Sequence, residues 1–307
     1  MRVLFLFLDG IGLGESNPEI NPFARANMPI LQALLGGKAM LRASAPYEGE
    51  RASLLAVDAN LGVKGLPQSA TGQAVLLTGR NIPEEIGYHY GPKPNPEVAA
   101  TLKDGALFGR LKSAGRTSAL LNAYPPRYFE GIGSGRRLYS SIPLAVINAG
   151  LSLFTEDDFA AGRGLSADFT GQGWRDMLGY PDTQVLAPKE AGGKLSTLAA
   201  QFDFSFFEYW ASDYAGHKQD MKWAVAQLET FDGVLHGLLE AWDMNAGLIL
   251  LTSDHGNMED LSVRRHTANP VPALVIGTPV VRHTFTAGVT NLTHIAPAIW
   301  KTITRNA

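Results

Sequence analysis

Three apolar runs in this chain stop at an aspartate. Residues 3–8 run into Asp9-Gly10, residues 204–210 into Ala211-Ser212-Asp213, and residues 248–251 into Thr252-Ser253-Asp254-His255-Gly256-Asn257. Apolar runs of this length, closed by turn signals, read as strands, and a continuous run marks a strand covered on both faces in a parallel sheet. Open α/β sheets place ligands beyond the carboxyl ends of such strands. Acidic strand tips therefore point to a polar site held by rigid elements. Taken alone, Asp254-His255 is equally a polar strand exit before a turn glycine.

Helical patterns alternate with these runs. Residues 28–37 have a proline in the first turn and glycines at the end, and residues 107–114, 194–202 and 292–301 also suit helices. Residues 220–242 carry Trp223, Leu228, Phe231, Val234 and Leu238 near helical spacing, most simply as core packing. Residues 117–123 and 272–277 read as further strands. The alternation predicts an α/β fold, a three-layer sandwich with a mostly parallel central sheet. From about residue 127 to 182 the apolar runs shorten and glycines scatter, most loosely over 131–137. The expected organisation is a discontinuous core, 1–125 and 185–307, with a small inserted cap at 126–184.

With 307 residues, 45% of them hydrophobic, the chain can bury a large core. A formal charge of -3, from 26 basic and 29 acidic residues, gives no basic surface for nucleic acid or membrane. The N-terminal apolar run is too short to span a bilayer and has no small-residue cleavage site, so a cytoplasmic protein is expected. No cysteine is present. Any metal must then be held by Asp, Glu, His or hydroxyl groups.

The loop Asp9-Gly10-Ile11-Gly12-Leu13-Gly14 is glycine-rich after a strand, as in dinucleotide-binding proteins. A leading carboxylate would repel a pyrophosphate, however, and residues 15–22 do not open a helix. A nicotinamide enzyme is the weaker reading. A helix over residues 71–77 would put Ser69 at or just before its N-terminus, where free N–H groups favour negative charge. Read by itself, Ser69 or Thr71 is more simply a plain helix cap, which needs no partners elsewhere.

The joint pattern is more specific than its parts. His217 lies four residues after Asp213, on one face of a helical turn; His255 adjoins Asp254; His266 follows eleven residues later. Carboxylates and imidazoles at three strand ends, with a hydroxyl at a helix start, suit two divalent cations of the Zn or Mn type. A pair of cations about 4 Å apart can clamp the attacking and leaving oxygens of phosphoryl transfer.

Strand-Asp9-Gly10, Gln68-Ser69-x-x-Gly72 running into Thr78-Gly79-Arg80, Asp213-x-x-Gly216-His217, Asp254-His255-Gly256 and His266-Thr267 follow the order seen in the alkaline phosphatase superfamily. The chain resembles cofactor-independent phosphoglycerate mutase in particular, and Val57-Asp58-Ala59 and Gly65-Leu66-Pro67 are similar to the approach to that enzyme's nucleophile. The resemblance implies Asp213, His217 and His266 around one metal ion, and Asp9, Ser69, Asp254 and His255 around the other. It implies Ser69 as nucleophile through a phosphoserine intermediate, with Thr71 as runner-up. Related sulfatases need proline and arginine two and four residues on, where this chain has Thr71 and Gln73. The mutase has histidine at the place of Gln73, and its inserted domain supplies arginines with no counterpart here. Arg127, Arg136, Arg137 and Lys218 are candidates for contacts to a small phosphorylated metabolite, with solvation of the loop as the plainer reading. A phosphatase of the same superfamily and a non-catalytic metal-binding protein are the alternatives.

Overall fold

The computed structural model describes residues 1–304, without the side chains of residues 104 and 105; the end of the 185–307 segment lies outside the described residues. Its seven strands are β1 (Arg2–Leu8), β2 (Tyr47–Glu48), β3 (Ala52–Val57), β4 (Ser118–Leu120), β5 (Phe204–Tyr209), β6 (Gly247–Thr252) and β7 (Val271–Ile276). They form one sheet in the order β2-β3-β7-β6-β1-β5-β4. β1 is parallel to both neighbours, β5 and β6, and β4 extends the parallel half. The other half is antiparallel: β7 against β6 and β3, and β2 against β3.

The pleat of β1 explains the layers. Val3, Phe5 and Phe7 face one way, into a cluster with the helices Ser69–Thr78, Pro96–Gly105, Leu107–Ser113 and Ile295–Thr304. Leu4, Leu6 and Leu8 face the other way, toward Pro188–Ala199 and Met221–Ala241. Both faces are dry because side chains alternate across a strand and each set meets a helix layer. That is the three-layer α/β sandwich expected. The helix expected over 194–202 begins earlier, at Pro188, where proline suits the first turn.

The edge formed by β2 and β3 was not anticipated. It is held by the buried Arg282, which donates to Ser53 Oγ at 3.0 Å, Glu50 O at 2.8 Å and Gly277 O at 2.7 Å. The segment 126–184 is also more regular than its scattered glycines suggest. It contains the helices Pro126–Gly133, Ser141–Asn148, Glu156–Ala160 and Gln172–Met177. Ile142, Ala145 and Val146 share the cluster of the Ser69 helix, and Ser141 Oγ donates to Ala70 O at 2.8 Å. Among the described residues no helix is long and apolar enough to cross a membrane.

Candidate metal centre

The order β6-β1-β5 places three parallel strands side by side, so their C-terminal tips meet at one edge. Asp9 directly follows β1, Asp213 sits in the helix Ala211–Lys218 after β5, and Asp254 lies two residues beyond β6. The tips are tied together: Ser212 Oγ donates to Asp9 O at 2.6 Å, and Ile11 N donates to Ser253 Oγ at 2.9 Å. Glu259, also buried, accepts from Gly12 N at 2.9 Å, Asn257 N at 2.8 Å and Asn269 Nδ2 at 3.0 Å. Four backbone segments are thereby held by carboxylates and hydroxyls buried behind the site.

This geometry also explains the glycines after β1. Gly10 has φ +68°, and a Cβ there would lie 2.6 Å from Asp213 Oδ1. The loop wraps a carboxylate at close approach.

Two groups of ligand atoms result. Asp213, His217 and His266 have potential metal-binding atoms all within 4.8 Å of one another, and so do Asp9, Asp213 and His255. Asp213 belongs to both. Its carboxylate reaches His217 Nε2 at 3.4 Å and His266 Nε2 at 3.7 Å, and accepts from Asn257 Nδ2 at 2.6 Å. His255 Nε2 lies 3.4 Å from Asp9 Oδ1, 3.6 Å from Asp254 Oδ2 and 3.0 Å from Ser69 Oγ. The His255 and His266 rings stack at 3.7 Å between centroids. An antiparallel bridge between Gly256 and Thr267 keeps them together.

The imidazoles are oriented for metal binding. His217 Nδ1 is 2.8 Å from Arg264 O, and His266 Nδ1 is 2.8 Å from Pro67 O. A carbonyl only accepts, so each Nδ1 donates, and in the neutral ring Nε2 keeps its lone pair toward Asp213. Burial, with the neighbouring His255 charge, pushes His266 down to about 4. Burial also lowers His255. His217 is raised, first through its hydrogen bond to Asp213.

The carboxylates are poorly satisfied by protein groups alone. Burial, then the Asp254 and Asp213 charges, push Asp9 well above the ordinary carboxylate range. Burial and Asp213 push Asp254 up to about 7. Asp213 goes the other way: burial opposes ionisation, but the His217 hydrogen bond and the His255 charge outweigh it. Asp9 Oδ1 is buried without a hydrogen-bond partner. Clustered buried carboxylates with neutral imidazoles are the donor set of a divalent cation, which offsets their mutual repulsion. The residues fit such an ion.

Ser69 is the first residue of the helix Ser69–Thr78; its N-cap, Gln68, makes no side-chain cap bond. The Ser69 hydroxyl faces His255 and does not cap the helix. Thr71 is engaged elsewhere, its Oγ1 donating to Gln68 O at 3.1 Å and accepting from Tyr90 N at 3.2 Å. Gly72 brings this helix onto Asp254: a Cβ would lie 2.8 Å from Asp254 Cβ and 2.9 Å from Asp254 O. Gly72→Ala should therefore destabilise the protein by about 1–3 kcal/mol and reduce metal affinity, because the helix must back away. Denaturant unfolding and metal titration check this; wild-type values in both would show that the close approach is dispensable.

The four basic candidates are dispersed. Arg127 is exposed, within electrostatic reach of Tyr180. Arg136 Nε donates to Ser134 Oγ at 3.0 Å. Arg137 lies over the Tyr128 ring at 5.2 Å, and Lys218 over the Tyr214 ring at 5.3 Å. Several site residues lacked a motif to reveal them. Gln73 Nε2 stands 3.5 Å from both Asp9 Oδ2 and Asp254 Oδ2. Glu208, buried on β5, is pushed up to about 7 by burial, against the opposing pull of Lys93 and Tyr124. Its placement inside an apolar strand was the available signal.

Residues 187–307 match the family model described as "Metalloenzyme superfamily". Over 105 residues the chain is 33% identical to the 2,3-bisphosphoglycerate-independent phosphoglycerate mutase of Desulforudis audaxviator, covering 32% of this chain and 20% of that protein. The chain thus spans about a fifth of the length of that curated relative. The enzyme of the same description from Pyrococcus horikoshii is 23% identical over 308 residues, covering 88% of this chain and 70% of its own length. Among solved structures, a cold-active alkaline phosphatase from a Shewanella species superposes with a TM-score of 0.55 at 12% identity, covering 99% of this chain and all of that one.

Proposed function

We propose that this chain, related to the metalloenzymes of the alkaline phosphatase superfamily and similar to phosphoglycerate mutase, is a two-metal phosphoryl-transfer enzyme acting on a small phosphorylated metabolite of the cytoplasm. The observation that carries this reading is the place of Ser69. Its Oγ lies 3.0 Å from His255 Nε2, at the start of a helix, beside two overlapping groups of ligand atoms. Asp213, His217 and His266 would hold one ion; Asp9, Ser69, Asp254 and His255 would hold the other. Oxygen and nitrogen donors without thiolate suit manganese or zinc. The bound ions would lower the pKa of the serine hydroxyl and offset charge on the phosphoryl oxygens.

The chain's own groups do the rest. Ser69 Oγ attacks phosphorus in line, the P–O bond to the metabolite breaks, and phosphoserine forms. The N-terminus of the Ser69 helix adds a favourable dipole for the incoming phosphate. Attack by a second hydroxyl of the metabolite on phosphoserine then completes a mutase cycle and restores Ser69. Part of the segment 126–184 would cap this site, its helix Ser141–Asn148 being packed into the core. One observation favours hydrolysis as a second reading: the His217 side chain is 40% exposed, so water can approach on that side.

A panel of phosphorylated metabolites, incubated with manganese- or zinc-loaded protein, tests the reading. Isomerised product identifies a mutase, and free phosphate a phosphatase. Failure of every substrate to react, together with no phosphate on Ser69, would leave only a metal-binding protein.

A further inference from the structure

Lys93 is a cation with no ion pair among the described residues, although it stands among carboxylates. The charges acting on it are those of Glu208, Arg137 and Asp9. Crowding around the ammonium lowers it from the ordinary lysine value, and Glu208 pulls it back. The nearby Arg137 is already engaged on the Tyr128 ring.

The loop bearing Lys93 is stitched to the turn bearing Ser69. Thr71 N donates to Tyr90 O at 3.0 Å, and Tyr90 N donates to Thr71 Oγ1 at 3.2 Å. Gly91 passes so close that a Cβ on it would lie 3.1 Å from Ser69 N. Lys93 follows two residues later, so the same loop carries it past the nucleophile's helix start.

We propose that Lys93 binds the phosphoryl group of the substrate at Ser69. The inference rests on the phosphoryl-transfer reading above. Two divalent cations would balance Asp9, Asp213, Asp254 and Glu208, and a phosphate monoester then brings further negative charge into the same pocket. Charge-assisted hydrogen bonds from an unpaired ammonium offset it. Lys93 would receive phosphoryl oxygens not taken up by the ions; Glu208, which accepts from Tyr124 Oη at 3.4 Å, attracts the ammonium from beyond ion-pair distance.

The test is calorimetric titration of inorganic phosphate into the manganese-loaded protein, with metal content measured on the same samples. Lys93→Met keeps the apolar stem and removes the charge; it should bind phosphate roughly tenfold more weakly with unchanged metal content. Lys93→Arg should retain most of the affinity. Wild-type affinity in Lys93→Met would overturn the proposal, as would absence of phosphate binding by the loaded wild type. Loss of metal from Lys93→Met would overturn it too, by making Lys93 a support of the ligand cluster. The outcome is separable from the broader reading, since phosphate can bind at Lys93 even if Ser69 is never phosphorylated.

Discussion

Ser69→Ala should abolish turnover of a phosphate monoester while both metal ions stay bound. The expected loss is about 10³-fold or more, because a covalent route is removed and not merely slowed. Folding should be nearly untouched. Ser69 is an interior first-turn residue whose hydroxyl contacts His255, and alanine is favourable in a helix by a few tenths of a kcal/mol, roughly. Asp9, Asp254 and His255 remain to hold the second ion. Thr71→Ala is the control: it should lower stability by about 1 kcal/mol through its bonds to Gln68 and Tyr90, yet still form phosphoenzyme. Turnover and metal content, measured together, decide the matter. A fully active Ser69→Ala protein would sink the nucleophile assignment.

The parts that could be read in advance share a physical cause. β1, β5 and β6 are covered on both faces, so their sequences are unbroken apolar runs, and the aspartates that end them stand out. The Asp213–His217 pair was visible because helical spacing is local. The edge strand β2 has only two residues, too few for any alternation, and its support comes from Arg282 far along the chain. Gln73, Asn257 and Glu259 each look like one polar residue in an ordinary element. Gln73 and Asn257 meet ligand carboxylates, and Glu259 braces the loops beside them, because β5, β1 and β6 are neighbours, a fact of sheet order that no local pattern encodes. Lys93 was hidden in a proline-rich loop for the same reason. The glycines after β1 could be recognised as unsuited to a dinucleotide, but their purpose, close passage of Gly10 by Asp213 and of Gly12 and Gly14 by Glu259, needed the partner segments to be placed.

Removing metal with a chelator should stop turnover and change how stability depends on pH. In the metal-free protein Asp254 is raised to about 7, so its contribution to stability is present below the ordinary carboxylate value and lost as pH rises through about 7. Asp9 acts in the same sense. His266, lowered to about 4, acts oppositely: its contribution is present above the ordinary histidine value and lost as pH falls through about 4. The raised groups Asp9, Asp254, Glu208 and His217 outnumber the lowered His255 and His266, so metal-free stability should fall as pH rises from about 5 to about 7. Metal binding requires Asp9 and Asp254 ionised, so protons compete with it below about pH 7. The loaded protein should therefore gain stability over the free one as pH rises through that range, by about 2–3 kcal/mol where free metal exceeds its Kd roughly 100-fold. Melting temperatures with and without chelator, taken across the range, give the difference directly. Identical curves would mean that these carboxylates and imidazoles hold no ion, and the two-metal reading would fall with them.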